Sequence, residues 1–222
     1  MLLMILLGMI VWGSHKLSHY VLESMTFSVG QHKPDIVVII DAGHGGSDGG
    51  KTGVNGAVES ELNLVIAKQV RDKLEEKQIQ VYMTREDENG MAEGNAADLK
   101  ARAEWMNDKK PDLVVSIHQN SFSDASVKGA QVFYHEDSEQ GKKAAEIMQK
   151  ALLLLDEQNT RQPKANNTYY LLKKTRVPVI ITECGFLSNP KEAEKLTNPE
   201  YQKQISEAIF MGICNYFGIE EN

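Results

Sequence analysis

Five consecutive β-branched residues, Ile36 to Ile40, run directly into Asp41-Ala42-Gly43-His44-Gly45-Gly46. An uninterrupted branched run of this length reads as a strand buried on both faces, the kind found inside a parallel sheet. The glycines behind it let the backbone turn sharply and leave room around the His44 imidazole. Two further apolar runs end in the same manner. Leu113-Val114-Val115-Ser116-Ile117 stops at His118, and Val177-Pro178-Val179-Ile180-Ile181-Thr182 stops at Glu183. Open α/β sheets bind ligands beyond the carboxyl ends of their strands. Two histidines and a carboxylate delivered to one such edge point to a metallohydrolase.

Between these runs the pattern is helical. Glu59 to Lys77 places Leu62, Ile66, Val70 and Leu74 on one stripe, with Val65 beside them, and its acidic start suits a helix N-terminus. Ile79 to Thr84 predicts a strand, Asp98 to Met106 a helix, Ala130 to Tyr134 a strand and Gly141 to Leu155 a helix. Tyr169 to Leu172 reads as a short strand. Asn189-Pro190 opens a short helix, with Asn as cap and Pro at the first helical position. Pro199 to Phe217 closes the chain as a helix with Tyr201, Ile205, Ile209, Ile213 and Phe217 on one face. Strands alternating with helices predict an α/β fold: one domain, a mainly parallel twisted sheet flanked by helices, and a zinc site at the carboxyl edge of the strands.

The chain has 222 residues, enough for one catalytic domain from residue 34 to residue 222. A formal net charge of −7 and the lack of a basic block argue against nucleic acid as a partner. Leu2 to Trp12 is apolar and uncharged but too short for a standard span of about 20 residues. It reads as an export signal, either cleaved or kept as a membrane anchor, followed by a polar linker to residue 33. The chain is thus expected outside the membrane, secreted or anchored. Cys184 and Cys214 could pair in that compartment, but buried free thiols are the favoured reading.

A catalytic zinc site takes three protein ligands and keeps one position open. His44 and His118 supply two. The third is a carboxylate returned to the same edge by the glycine-rich loop after His44, and both Glu59 and Glu61 are within reach. On a helix the two point about 200° apart, so only one can face the metal. Hydrolysis also needs a base for the proton of the attacking water. Glu183, a carboxylate at the end of an apolar strand, is the candidate. His15, His19, His32 and His135 sit in polar surroundings and read as surface residues.

The ordered set Asp41-Ala42-Gly43-His44-Gly45-Gly46, Glu59, Thr84-Arg85, Ser116-Ile117-His118-Gln119-Asn120 and Glu183-Cys184-Gly185-Phe186-Leu187-Ser188-Asn189 resembles the type-3 family of zinc-dependent N-acetylmuramoyl-L-alanine amidases. The resemblance spans Asp35 to Phe217. It implies cleavage of the amide between the lactyl group of muramic acid and the L-alanine of the peptidoglycan stem peptide. It also implies zinc on His44, Glu59 and His118, selecting Glu59 over Glu61, with Glu183 as the catalytic glutamate. Ala42 stands where many members carry proline, a departure that touches turn stiffness more than chemistry. In size and texture the chain is similar to the germination- and sporulation-specific members, which implies spore cortex as substrate and muramic-δ-lactam formation as the outcome. A zinc peptidase or carboxypeptidase on the same polymer and a non-catalytic peptidoglycan-binding module are the competing readings.

Arg85 and Arg102 could present guanidinium forks to stem-peptide carboxylates, or be held in internal ion pairs. Asn120 could donate to substrate or hold its loop. The stretch from His118 to Glu183 is filled by one strand, one helix and a short strand, leaving no segment of blocking-helix length. Restraint is therefore expected from location, zinc supply or a regulatory protein partner that raises substrate or metal affinity.

Overall fold

The branched run forms the strand its composition demands. In the computed structural model, which describes residues 36–220, β1 (Val37–Ala42) is buried from Val38 onward and lies inside the sheet. The chain continues as α1 (Glu59–Glu76), β2 (Gln80–Met83), α2 (Asn95–Lys109), β3 (Leu113–Asn120), β4 (Gln131–Tyr134), α3 (Glu139–Leu153), β5 (Lys164–Ala165), α4 (Tyr170–Lys174), β6 (Val179–Phe186), α5 (Pro190–Leu196) and α6 (Pro199–Phe217). The strands form one sheet in the order β2-β1-β3-β6-β4-β5. β2, β1, β3 and β6 are parallel neighbours, β5 is parallel to β4, and β4 runs antiparallel to β6. The expected mainly parallel sheet is present, with that one antiparallel pairing making it mixed.

Alternation along each strand feeds two cores. Val38, Ile40, Val115 and Ile180 face α1, α3 and α6 and meet Ile66, Val70, Met148, Ile209 and Ile213. Ile39, Val114, Phe133 and Ile181 face the other way, against Ala103 and Met106 of α2 and Leu171 and Leu172 of α4. The stripe on α1 is buried at Leu62, Ile66, Val70 and Leu74, while Val65 is 41% exposed. Helix starts follow their capping chemistry. Asn189 Oδ1 accepts from the backbone N–H groups of Lys191 and Glu192, and Asn198 Oδ1 from Glu200 and Tyr201, each Asn preceding a proline at the first helical position.

Tyr169 to Leu172 is not a strand. Asn166 Oδ1 accepts hydrogen bonds from the backbone of Thr168 and Tyr169, and the chain turns into α4 at Tyr170. A short aromatic and apolar run satisfies either period, so burial of Leu171 and Leu172 against the sheet decides the outcome. The edge strand β5 pairs only two residues with β4 and is exposed, too short to leave a pattern. Strands β3 and β6 run past the expected ends to Asn120 and Phe186, so His118 and Glu183 are register partners within the sheet. Cys184 and Cys214 are buried thiols not joined in a disulfide. The apolar run Leu2 to Trp12 and the linker after it lie outside the described residues. Among the described residues no helix is long and apolar enough to cross a membrane.

Candidate metal centre and active site

Three elements bring three side chains together. His44 follows β1, Glu59 opens α1 and His118 lies near the end of β3. The Glu59 Oε1 atom lies 3.2 Å from His44 Nε2 and 3.0 Å from His118 Nδ1. The three donor atoms all lie within 4.8 Å of one another. Two imidazoles and one carboxylate at this spacing suit a tetrahedral zinc ion with one position left for water or substrate. Glu61, the competing carboxylate, is exposed on the far side of the helix.

The backbone around this centre admits little variation. A Cβ on Gly43 would lie 2.3 Å from the His118 ring, and Gly50, at φ +69, would put one 2.6 Å from Glu59 Oε2. His44 itself has φ +62, a left-handed conformation uncommon for a residue with a side chain. Its ring is oriented from behind, since Nδ1 lies 2.9 Å from Asp48 Oδ2. Asp48 is held in turn by Gly50 N–H and the Asn95 side chain. Such a carboxylate–histidine pair fixes the ring and raises its basicity as a ligand. Glu59 accepts backbone N–H bonds from Lys51 and Gln119 at 2.8 Å and 3.1 Å.

Electrostatics separate the two buried carboxylates. Burial alone would raise the Glu59 pKa, but hydrogen bonds and charge from His118 and His44 outweigh it and hold the group well below the usual range. Burial would lower the pKa of His44, yet Glu59 and Asp48 push it up to about 9. Glu183 has no such support. Burial pushes it up to about 7, with the Glu59 charge adding to the rise and the two imidazoles opposing it. Its Oε2 is buried with no hydrogen-bond partner among the described residues. A carboxyl poised near neutrality in a cleft has the acid–base character a hydrolase needs.

These groups line a cavity of about 360 Å³ that also includes Lys51, Asn120 and Tyr169. Asn120 serves its own loop as well, its Oδ1 accepting from Ser121 N–H at 2.8 Å. The Tyr169 phenol is pushed up to about 12 by burial and by the charges of Glu183 and Glu59. Asp48 and Tyr169 escaped the sequence patterns. Asp48 sits in a glycine-rich loop with no periodicity, and Tyr169 depends on the helical turn at α4.

Arg85 and Arg102 do not present forks to the cleft. Arg102 is 1% exposed. It bonds Asp98 through Nε, Asp41 and the Ala42 carbonyl through Nη1, and the His44 carbonyl through Nη2. Arg85 donates to the carbonyls of Ala42, Gly43, Ser60 and Asp87. Both donor sets are consumed internally, because the turn after β1 leaves successive carbonyls that no strand or helix satisfies. The pair clamps the His44 turn and, through Ser60, ties it to the start of α1.

The sequence pattern of the N-acetylmuramoyl-L-alanine amidase family matches residues 38–215. The chain belongs to that family. It is an N-acetylmuramoyl-L-alanine amidase, a hydrolase of cell-wall peptidoglycan. A germination-specific N-acetylmuramoyl-L-alanine amidase of Bacillus subtilis strain 168 is 36% identical over 189 residues, covering 82% of this chain and 79% of the relative. The CwlD amidase of Clostridioides difficile, solved in complex with the GerS lipoprotein, matches at 34% identity and a TM-score of 0.78, over 83% of this chain and 100% of that one. The catalytic domain of the amidase CwlV from Bacillus (Paenibacillus) polymyxa matches at 29% identity and a TM-score of 0.76, over 83% and 99% of the two chains.

Proposed function

We propose that this amidase is zinc-dependent, that His44, Glu59 and His118 hold the ion, and that its substrate is the peptidoglycan of the spore cortex. Convergence of two imidazole nitrogens on one carboxylate oxygen, 3.0 Å and 3.2 Å away, carries the metal assignment. Bound there, zinc would supply a Lewis acid for the amide carbonyl and for water. Glu183 is the base. Its pKa near 7 lets it accept a proton from the attacking water, and the acid so formed can return that proton to the leaving L-alanine nitrogen. Asp48 holds the His44 ring, and the Arg85–Arg102 clamp holds the backbone that carries it. Asn120, on the cleft wall, contacts substrate.

Similarity to a germination-specific amidase supports the cortex as the site of action. Export follows from the apolar run Leu2 to Trp12, which either is removed or anchors the catalytic domain, residues 34 to 222, on the outer side of the membrane. A regulatory protein partner is proposed as well, on the similarity to an amidase solved with a lipoprotein. The decisive experiment is mass spectrometry of muropeptides from cortex incubated with zinc-loaded protein or with its Glu183→Gln variant. Peptides with a free L-alanine N-terminus should appear together with peptide-free muramic acid, and only with the wild type. Shorter peptides without peptide-free muramic acid would overturn the assignment. Full activity of the purified amidase alone on intact cortex would remove the need for a partner.

A further inference from the structure

Adding water to an amide drives negative charge onto the carbonyl oxygen, and preorganised donors aimed at that charge are among the strongest contributions an enzyme makes. Beside the exposed Lys51 and the loop residue Asn120, the cleft wall offers few. Gln119 spends its Nε2 on Asn63 Oδ1, and both buried arginines are turned away. Tyr169 differs from these. It is half-buried and lines the same cavity as His44, His118 and Glu183. Its phenol feels the charges of Glu183 and Glu59, and its hydroxyl makes no hydrogen bond among the described residues.

The ring is also fixed in place, as a preorganised donor must be. Phe133 meets it edge-on with centroids 5.4 Å apart. The Tyr169 N–H donates to Asn166 Oδ1 at 2.9 Å, and Asn166 N–H donates to the Tyr134 carbonyl at 2.8 Å, tying the turn to β4. Both the ring and its backbone are therefore anchored to β4, the antiparallel neighbour of the strand β6 that carries Glu183.

We propose that Tyr169 is a further catalytic residue: its hydroxyl donates a hydrogen bond to the carbonyl oxygen of the scissile amide, and that bond strengthens as the oxygen gains charge. The proton stays on the phenol throughout. The role rests on His44, Glu59, His118 and Glu183 forming the reacting centre.

Tyr169→Phe removes the hydroxyl alone and keeps the contact with Phe133. On a soluble muropeptide, kcat should fall by about 10²-fold to 10³-fold, a larger change than any in KM, while zinc content and melting temperature stay at wild-type values. The same series includes wild type and Glu183→Gln. A zinc-loaded wild type without amidase activity would overturn the reacting centre itself. An active wild type and an equally fast Tyr169→Phe would overturn the tyrosine alone, as would a loss confined to KM.

Discussion

Glu183 ought to be a liability to the fold whenever it is ionised, and this can be measured without any catalysis. Glu183 is 7% exposed, and one of its carboxyl oxygens lacks a partner among the described residues. Its pKa rises from 4.5 to about 7 on folding, so below pH 4.5 it is neutral in both states and costs nothing through ionisation. Between pH 4.5 and about 7 the unfolded chain releases its proton while the folded chain retains it. Stability therefore falls as pH rises, by as much as about 1.4 kcal/mol per pH unit. Above pH 7 the accumulated loss levels off at about 3 kcal/mol. Glu183→Gln keeps the shape and removes the ionisation. Urea unfolding of the metal-free wild type and variant, in chelator from pH 4.5 to pH 8.5, should give a stability difference that moves in favour of the variant by about 3 kcal/mol. Any constant offset at pH 4.5 reports packing and cancels. His118, Glu59 and His44 are common to both proteins, and their coupling to the Glu183 charge is part of the difference. A difference that does not change with pH, or that moves toward the wild type, would refute desolvation as the origin of the raised pKa.

His44→Ala, Glu59→Ala and His118→Ala should each abolish zinc retention in metal analysis after dialysis, whereas Glu61→Ala should retain it; the reverse for the two glutamates would reassign the ligand. With zinc bound, Glu183→Gln should lose about 10²-fold to 10⁴-fold in kcat, measured by amide cleavage at saturating substrate, and near-normal turnover would remove it as the base. Asp48→Ala should weaken zinc binding by about 10-fold to 100-fold in a chelator competition, because the His44 ring loses its orienting carboxylate. Arg102→Leu should destabilise the protein by about 3–5 kcal/mol in denaturant unfolding, since Asp41 is left buried without its cation, and a loss below 1 kcal/mol would show that the clamp relaxes freely.

The existence of the strands, though not where β3 and β6 end, was legible because their signal is local. Five branched residues ending at a glycine-flanked histidine can form little else, and His118 and Glu183 ended similar runs. The helix cap at Asn189 was equally local, set by a side chain reaching two and three residues ahead. Choosing Glu59 over Glu61 was different in kind. The helical period states only that one of them is excluded; packing of Leu62 and Ile66 against the sheet turns Glu59 inward. For Arg85 and Arg102 the sequence left substrate forks and internal ion pairs both open, because most of their partners are remote in the chain. Asp41 is 61 residues from Arg102, and the carbonyl of Gly43 is 42 from Arg85. Tyr169 and Leu172 lay in a run too short to show a period, and joined the cleft and the core only once α4 docked on the sheet. Local propensity chooses an element and places its chemistry at an end. Which polar groups then find each other depends on unsatisfied carbonyls and buried charges that come together only when distant segments pack.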